Sequence, residues 1–568
     1  MNVYNTNISA SLVIGSFTKT VIGSIIEWRR VRGIEETVIV SLNVDPSSND
    51  VSNTCGNDTS PCSHISAALS AYNVVLNSTT ELYLYLAPGT YVGSGNNTNL
   101  IIFNINVTVV GTPGESIIDM QSQGQFASIQ EPPNTLMFDR TKLHLHNLTF
   151  INGNHSSGGV VSVITAFTPS YVSFIDSNCT GNNADRGAVL YLDSTVPLKN
   201  IVDIKGSVFD SNVAEISGAV YYNTERGALL NVSNSLFVRN QALSYGVFVS
   251  ANDSTQFVNV TLINNSGATG ILSFAYCANQ LILNNITFVD NLNMRSAGLI
   301  RSLSCDVVVS NSSFLANTGG PVIQAEDIER SNNQIDISDC EFSNNVGTTG
   351  GALMLADYTR SYITNTTFYY NTADQGGAIF FSNPYSSYIS DCDISYNSAS
   401  VGGAIYIDES IISVNLSSVT MDSNFGTTTN SSIYCDESSL SLNNVTTDTN
   451  TNKFVYCQTQ DDDGSHLFGD NDDDYTCLVT GNSANNMCYD NDNDDGDKGD
   501  EIGFIIAIVL GSVVGAVGLT GMIFVLYRRY QRRNVTTQYQ PIDNTTSIHY
   551  IAESSSSSST HYQYDGIN

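Results

Sequence analysis

Three consecutive stretches, FSNNVGTTGGALML (342–355), FYYNTADQGGAIFF (368–381) and ISYNSASVGGAIYI (394–407), repeat in strict register every 26 residues. One position holds Phe342, Phe368 and Ile394, a second Asn345, Asn371 and Asn397, and a third Gly351, Gly377 and Gly403. A fixed period of this length marks a stacked solenoid, in which each repeat buries its apolar face only against its neighbours. Looser copies run both ways, carrying the Asn position through Asn182, Asn212, Asn240, Asn265, Asn291 and Asn317, and beyond the core triplet to Asn424 and Asn450.

Each unit holds an alternating apolar segment ending in Phe, then x-x-Asn, a few polar residues, Gly-Gly-Ala and a second β-rich segment such as Ala378–Phe381. No helical stripe lies between the two. Equivalent residues of a parallel β coil stack about 4.8 Å apart. Phe, Ile and Leu are therefore expected to form an internal column, and the Asn side chains a ladder in which each amide bonds the next. Glycine before the inward alanine supplies a corner where a Cβ would clash or φ must be positive. A leucine-rich repeat competes, because Leu283, Ile286, Phe288 and Asn291 fit L-x-x-L-x-L-x-x-N. That motif wants Leu two positions after the Asn, whereas this chain has Ala184, Ala214, Ala242, Ala373 and Ala399, so the β coil is preferred.

The pairing of GGA[ILV] with F-x-x-N resembles the repeat of the chlamydial polymorphic outer-membrane proteins, also found in eukaryotic surface proteins with pectin-lyase-like right-handed β-helices. The match covers about residues 143–460 and departs at the C-terminus, where the chlamydial proteins carry an autotransporter barrel and this chain has one apolar segment. The resemblance implies an all-β, right-handed parallel β-helix, surface exposure and, in some members, adhesion. Role does not follow from fold.

Residues 36–142 are read as an N-terminal cap and opening coils: a helix over Ser63–Leu76, N-capped by Ser63, leads into a first strand bearing Leu82, Leu84 and Leu86. The repeated coils then occupy residues 143–460. Eleven cysteines leave at least one outside any intrachain pair. Cys277 and Cys305 each lie seven residues after their coil's corner glycine, Gly270 and Gly298, one above the other, and are expected to bond. Cys55 with Cys62, Cys435 with Cys457 and Cys477 with Cys488 are read as local pairs, leaving Cys179, Cys340 and Cys392 as buried thiols. Sequons at Asn147, Asn259, Asn285, Asn311 and Asn365 sit three residues before the coil's large apolar residue. With that residue inside, they point outward on one face as candidate glycosylation sites.

The formal net charge is −33, although only 13% of residues are charged. Nucleic acid is a poor partner for such a chain. Acid concentrates in residues 461–501, read as a solvated stalk. Within it, Asp490–Gly496 fails the EF-hand spacing, because position 12 falls on Ile502. No cofactor is expected beyond weak calcium association with the stalk.

Residues 502–527 carry no charge and are long enough to span a bilayer as one helix, and Arg528, Arg529, Arg532 and Arg533 follow. The positive-inside rule then gives a single-pass type I plasma-membrane protein with residues 528–568 cytoplasmic. Ala507, Gly511 and Gly515 allow a helix dimer. In residues 1–35 the only export segment, Ile8–Ile26, lacks a basic start and is broken by Lys19, so it is read as a poor signal or a misassigned start. The tail carries Tyr539-Gln-Pro-Ile542 and Tyr564-Asp-Gly-Ile567, both of sorting-signal form.

Enzymatic β-helices cluster carboxylates, or a calcium site with a basic residue, on neighbouring coils. Here Asp339 and Asp391 recur two coils apart, with Asp393 beside the second, and no catalytic string is found. The expectation is a non-catalytic rod that recognises an extracellular glycan or protein ligand; the alternative is a membrane-anchored polysaccharide lyase or hydrolase.

Overall fold

The computed structural model describes residues 36–481, apart from short segments of which the longest are 72–79, 132–139 and 458–476. Ahead of these it describes the strands Ala10–Ile14, Phe17–Val21 and Ile25–Arg30. The chain is an all-β parallel solenoid of about 12 turns. One coil shows the plan. Ile379–Ser382, Ser386–Ser390, Asp393–Ser395 and Ser398–Val401 are successive strands. They pair in parallel with Leu353–Ala356, Arg360–Thr364, Thr367–Tyr369 and Thr372–Gln375 of the coil before. Three stacks of strands run along the molecule, with a short fourth beside the Asn position.

Strand alternation places one set of side chains inside. Phe314, Phe342, Phe368 and Ile394 are fully buried in consecutive coils. The rings of Phe342 and Phe368 stack with centroids 5.1 Å apart and planes 6° from parallel. Apart from eleven, eight of them alanines, the buried apolar residues described from Val40 to Cys477 belong to one continuous core.

The ladder Asn residues are buried too. From Asn182 through Asn212, Asn240, Asn265, Asn291, Asn317, Asn345, Asn371 and Asn397 to Asn424, each Nδ2 donates to the next Oδ1 at 2.9–3.1 Å. The backbone N–H of Asn371 donates to Asn397 Oδ1 as well, and its Nδ2 also reaches Phe342 O at 2.9 Å. Each amide is thus satisfied on both sides, as its burial requires. Asn450 lies outside the described residues.

The double glycine divides its labour. Gly350, Gly376 and Gly402 take φ of 68°, 60° and 63°, while a Cβ on Gly351 or Gly377 would sit 2.3 or 2.1 Å from the carbonyl oxygen of Gly377 or Gly403 in the next coil. The alanines that follow, Ala352, Ala378 and Ala404, are buried.

At the N-terminal end the structure differs from the expected cap. The helix α1 spans Ile65–Ala71 and crosses between two parallel strands, Glu36–Val44 and Thr80–Leu86, instead of preceding the first one. Its capping is not by Ser63. His64 Nδ1 accepts the Ala67 N–H at 3.0 Å and Asn97 Oδ1, from the following coil, accepts the Ile65 N–H at 2.9 Å. Ile25–Arg30 pairs antiparallel with Glu36–Val44, which covers that strand's outer edge. At the other end Cys477–Thr480 pairs with Ser438–Asn443, so coil structure reaches past residue 460 into the stretch read as stalk. Among the described residues no helix is long and apolar enough to cross a membrane. Residues 502–527 and the tyrosine motifs of the tail, Tyr539 to Ile542 and Tyr564 to Ile567, lie outside them.

Candidate functional site

The outer face of the second stack, near its N-terminal end, gathers most of the chemistry. Leu143, Leu145, Val172, Phe174, Val202 and Ile204 point inward and are buried. Alternation therefore turns Lys142, His144 and His146, then Tyr171 and Ser173, then Asp203 and Lys205 outward on three successive coils. Pairing register aligns His144, Ser173, Asp203 and Asn231 in one row.

These groups bond mainly to one another. His144 Nδ1 and Ser173 Oγ are 2.7 Å apart. The Tyr171 hydroxyl and Asn231 Nδ2 donate to the two oxygens of Asp203, the latter at 2.6 Å. The edge of His144 meets the Tyr171 ring with centroids 4.7 Å apart. Burial, with His146 and Lys142 beside it, lowers the His144 pKa to about 4, so the ring is neutral at neutral pH. His146 is also lowered, chiefly by burial, with Asp176 opposing. Burial and the bond to Asp203 push Tyr171 up to about 12.

A cavity of about 390 Å³ opens on the same face, lined in part by Asn43, Asp45, Asp58, Tyr85, Val110 and Thr112. Asn43 Nδ2 donates to Asp58 Oδ1 at 2.7 Å, and Asp45 Oδ1 accepts the Ser47 N–H at 2.8 Å. Val110 is the register partner of His146, so cavity and cluster are continuous. Could the row act as a hydrolase? Ser173 lies between His144 and Asp203 instead of next to a His–Asp pair, and it is fully buried. A nucleophile must be reachable and its base oriented by a third group; this row provides neither.

The expected sequons share one corner. Asn147, Asn259, Asn285, Asn311 and Asn365 all take left-handed φ, between 46° and 55°, and all but the half-buried Asn147 are exposed. Asp339 and Asp391 occupy the same corner on either side of Asn365, whose Nδ2 donates to Asp339 Oδ1 at 2.6 Å. Asp393 lies on the next strand and accepts the Tyr369 hydroxyl.

Cys277–Cys305 and Cys55–Cys62 are disulfides, each with Cα atoms 4.9 Å apart. Cys435 does not pair with Cys457, and Cys477 is not free for Cys488, which lies outside the described residues. Cys435 bonds Cys477, Cα atoms 5.8 Å apart, because the chain returns after residue 476 to lay Cys477 against Ser438, three residues beyond Cys435. Cys179, Cys340 and Cys392 are free and buried.

Sequence reasoning missed two features. One is a run of small donors just after the left-handed corner. Ser177 and Ser207 donate to Ile175 O and Lys205 O, Thr366 to Thr364 O, and Cys340 and Cys392 to Ser338 O and Ser390 O. The two cysteines thus stand in for hydroxyls, and burial pushes both thiols up to about 11. The other is a set of outward aromatic ladders: Tyr362–Tyr388, Tyr370–Tyr396 and Phe380–Tyr406–Tyr434–Tyr456, all stacked at 4.6–5.6 Å. The repeat phase was the available signal for both. Rings stacked along the axis spend their faces on one another, which leaves edges and hydroxyls to the outside.

Fold and face together define a parallel β-solenoid protein with a polar outer site. No family model and no curated protein matches the chain. A solved rhamnogalacturonan lyase is similar over 73% of this chain and 75% of its own at 11% identity, with a TM-score of 0.12.

Proposed function

We propose that this protein is a non-catalytic recognition rod, a right-handed coil displayed outside the cell on the apolar segment 502–527, which binds a glycan or a cell-surface protein along its outer face. One observation carries the reading: the side chains best suited to chemistry are tied to one another, with Ser173 buried against His144 and both Asp203 oxygens engaged. Fixed donors and acceptors of this kind, beside a cavity, suit recognition. The run of arginines after residue 527 supports the orientation.

The second reading, a polysaccharide-active enzyme, is favoured by the closeness of His144, Tyr171 and Asp203. The two separate on one preparation. Protein purified with residues 36–568 intact is applied to a glycan array and incubated with pectin and polygalacturonate, with and without calcium. The expected result is retention on a subset of glycans and no new reducing ends. Chain cleavage abolished by Asp203→Asn would make the protein an enzyme.

A further inference from the structure

The cavity on the outer face lies in a part of the chain without strong bases. Residues 36–139 carry nine carboxylates and no lysine or arginine, and every residue that lines the cavity falls between 43 and 112. Two of the nine, Asp45 and Asp58, line it. The lysines of the neighbouring coils stand off. Lys205 shares the row of Val110 three coils on, about 14 Å along the axis, and Lys142 occupies the row of Asn106 and Glu81 instead. His146, one coil from Val110, is held toward its neutral form by burial.

What the lining lacks is donors. The N–H groups of Asn43, Asp45, Ala87 and Gly111 are spent on backbone carbonyls, that of Thr112 on Ser116 Oγ, and Asn43 Nδ2 on Asp58 Oδ1. The carbonyls of Val44 and Ala87 already accept the Tyr91 hydroxyl. Asp45 Oδ1 takes both the Ser47 N–H and its hydroxyl. Asp45 Oδ2 and Asp58 Oδ2 are left without a donor among the described residues. Beside them the lining is apolar at Val44, Leu86 and Val110 and aromatic at Tyr85, which is 43% exposed. Unmatched carboxylate oxygens next to apolar and aromatic surface call for a ligand that brings its own donors and a positive charge. A metal ion fits poorly. Calcium takes about six to eight oxygens, and among the described residues no three His, Cys, Asp or Glu side chains are grouped to hold one.

An ammonium group on a sugar ring meets both requirements. The face beyond the cavity suits the rest of such a chain, because Tyr83, Thr108 and the neutral His144 follow one another in a row of hydrogen-bonding groups. We propose that the cavity binds the free amine of an amino sugar, its ammonium held by Asp45 and Asp58 and its ring against Tyr85, with the saccharide running along the coil axis. The inference rests on the saccharide-binding form of the function proposed above.

Trimers cut from chitosan, chitin and cellulose test it, since they differ only in carrying ammonium, acetamide or hydroxyl at one carbon. Each is titrated calorimetrically into the full chain at about pH 6, below the pKa of an amine and above those of the carboxylates. The chitosan trimer is expected to bind about tenfold or more tightly than the other two and to weaken as salt rises. Asp45→Asn combined with Asp58→Asn keeps the oxygens that Ser47 and Asn43 bond while removing the charge. That pair should lose about tenfold in affinity at an unchanged denaturant midpoint. Asp185→Asn combined with Asp290→Asn, which removes two exposed charges on other coils, should lose none. Binding that survives the first pair of changes places the cation elsewhere on this acidic chain and overturns the proposal. So does trilysine bound as tightly as the chitosan trimer, because charge alone then suffices. Equal binding of the three trimers overturns it and leaves saccharide recognition standing. Failure of all three to bind, with no glycan retained on the array, overturns both.

Discussion

Phe368 shows how much one position carries. Its ring is fully buried between Phe342 and Ile394, stacked on the first, with strand register on both sides fixing where it lies. Phe368→Ala is expected to cost about 3–5 kcal/mol, read as a lower denaturant midpoint with an unchanged slope; a variant as stable as the parent would show that the column does not bear the coil. Phe368, Asn371 and Gly377 were legible in the sequence because stacking forces one residue type on each inner position, and identity repeated at fixed spacing is visible without coordinates. His144, Ser173 and Asp203 were not. They stand in register as surely as the phenylalanines do, yet they face outward, where packing demands no common shape, so three different residues occupy the row. The buried thiols fall between these cases. Cys340 and Cys392 are visibly in phase, but that their position wants a backbone-directed donor appears only from the Ser177, Ser207 and Thr366 bonds beside them.

Strands pair through their backbones, so links between them depend on where the chain re-enters the stack. Cys277 and Cys305 lie at matching points of adjacent coils joined by loops of ordinary length, and their alignment could be counted from the corner glycines. Counting failed for Cys435, because the stretch between Cys457 and Cys477 is not a repeat and its length does not say which strand end it reaches. Non-reducing peptide mapping of the oxidised protein should recover Cys277 linked to Cys305 and Cys435 linked to Cys477. A Cys435–Cys457 peptide would mean that Cys477–Thr480 does not lie on Ser438–Asn443. The same limit applied at the other end. Helical periodicity around Ile65 was readable, but the parallel strand Glu36–Val44 ahead of it was not, since a single strand outside the repeat has no phase to compare with.

For the whole molecule the proposed orientation makes a direct claim. With residues 502–527 across the membrane and the arginines inside, an epitope tag after Asn568 should be stained only in permeabilised cells. A tag at Val51, 66% exposed, should be reached in intact ones. The reverse pattern would refute it. The side-chain amides running from Asn182 to Asn424 have one more consequence. Every rung makes the same bonds to the rung before and the rung after, and no rung is matched to a particular partner elsewhere in the chain. Spacings between rungs vary from 25 to 30 residues because loops absorb the difference. A gene that duplicates or drops one complete turn therefore yields a protein whose ladder bonds are remade at the junction. Such a molecule can be lengthened or shortened in whole-turn increments during descent with its amide ladder unbroken, while the outward residues of each copy drift to new uses.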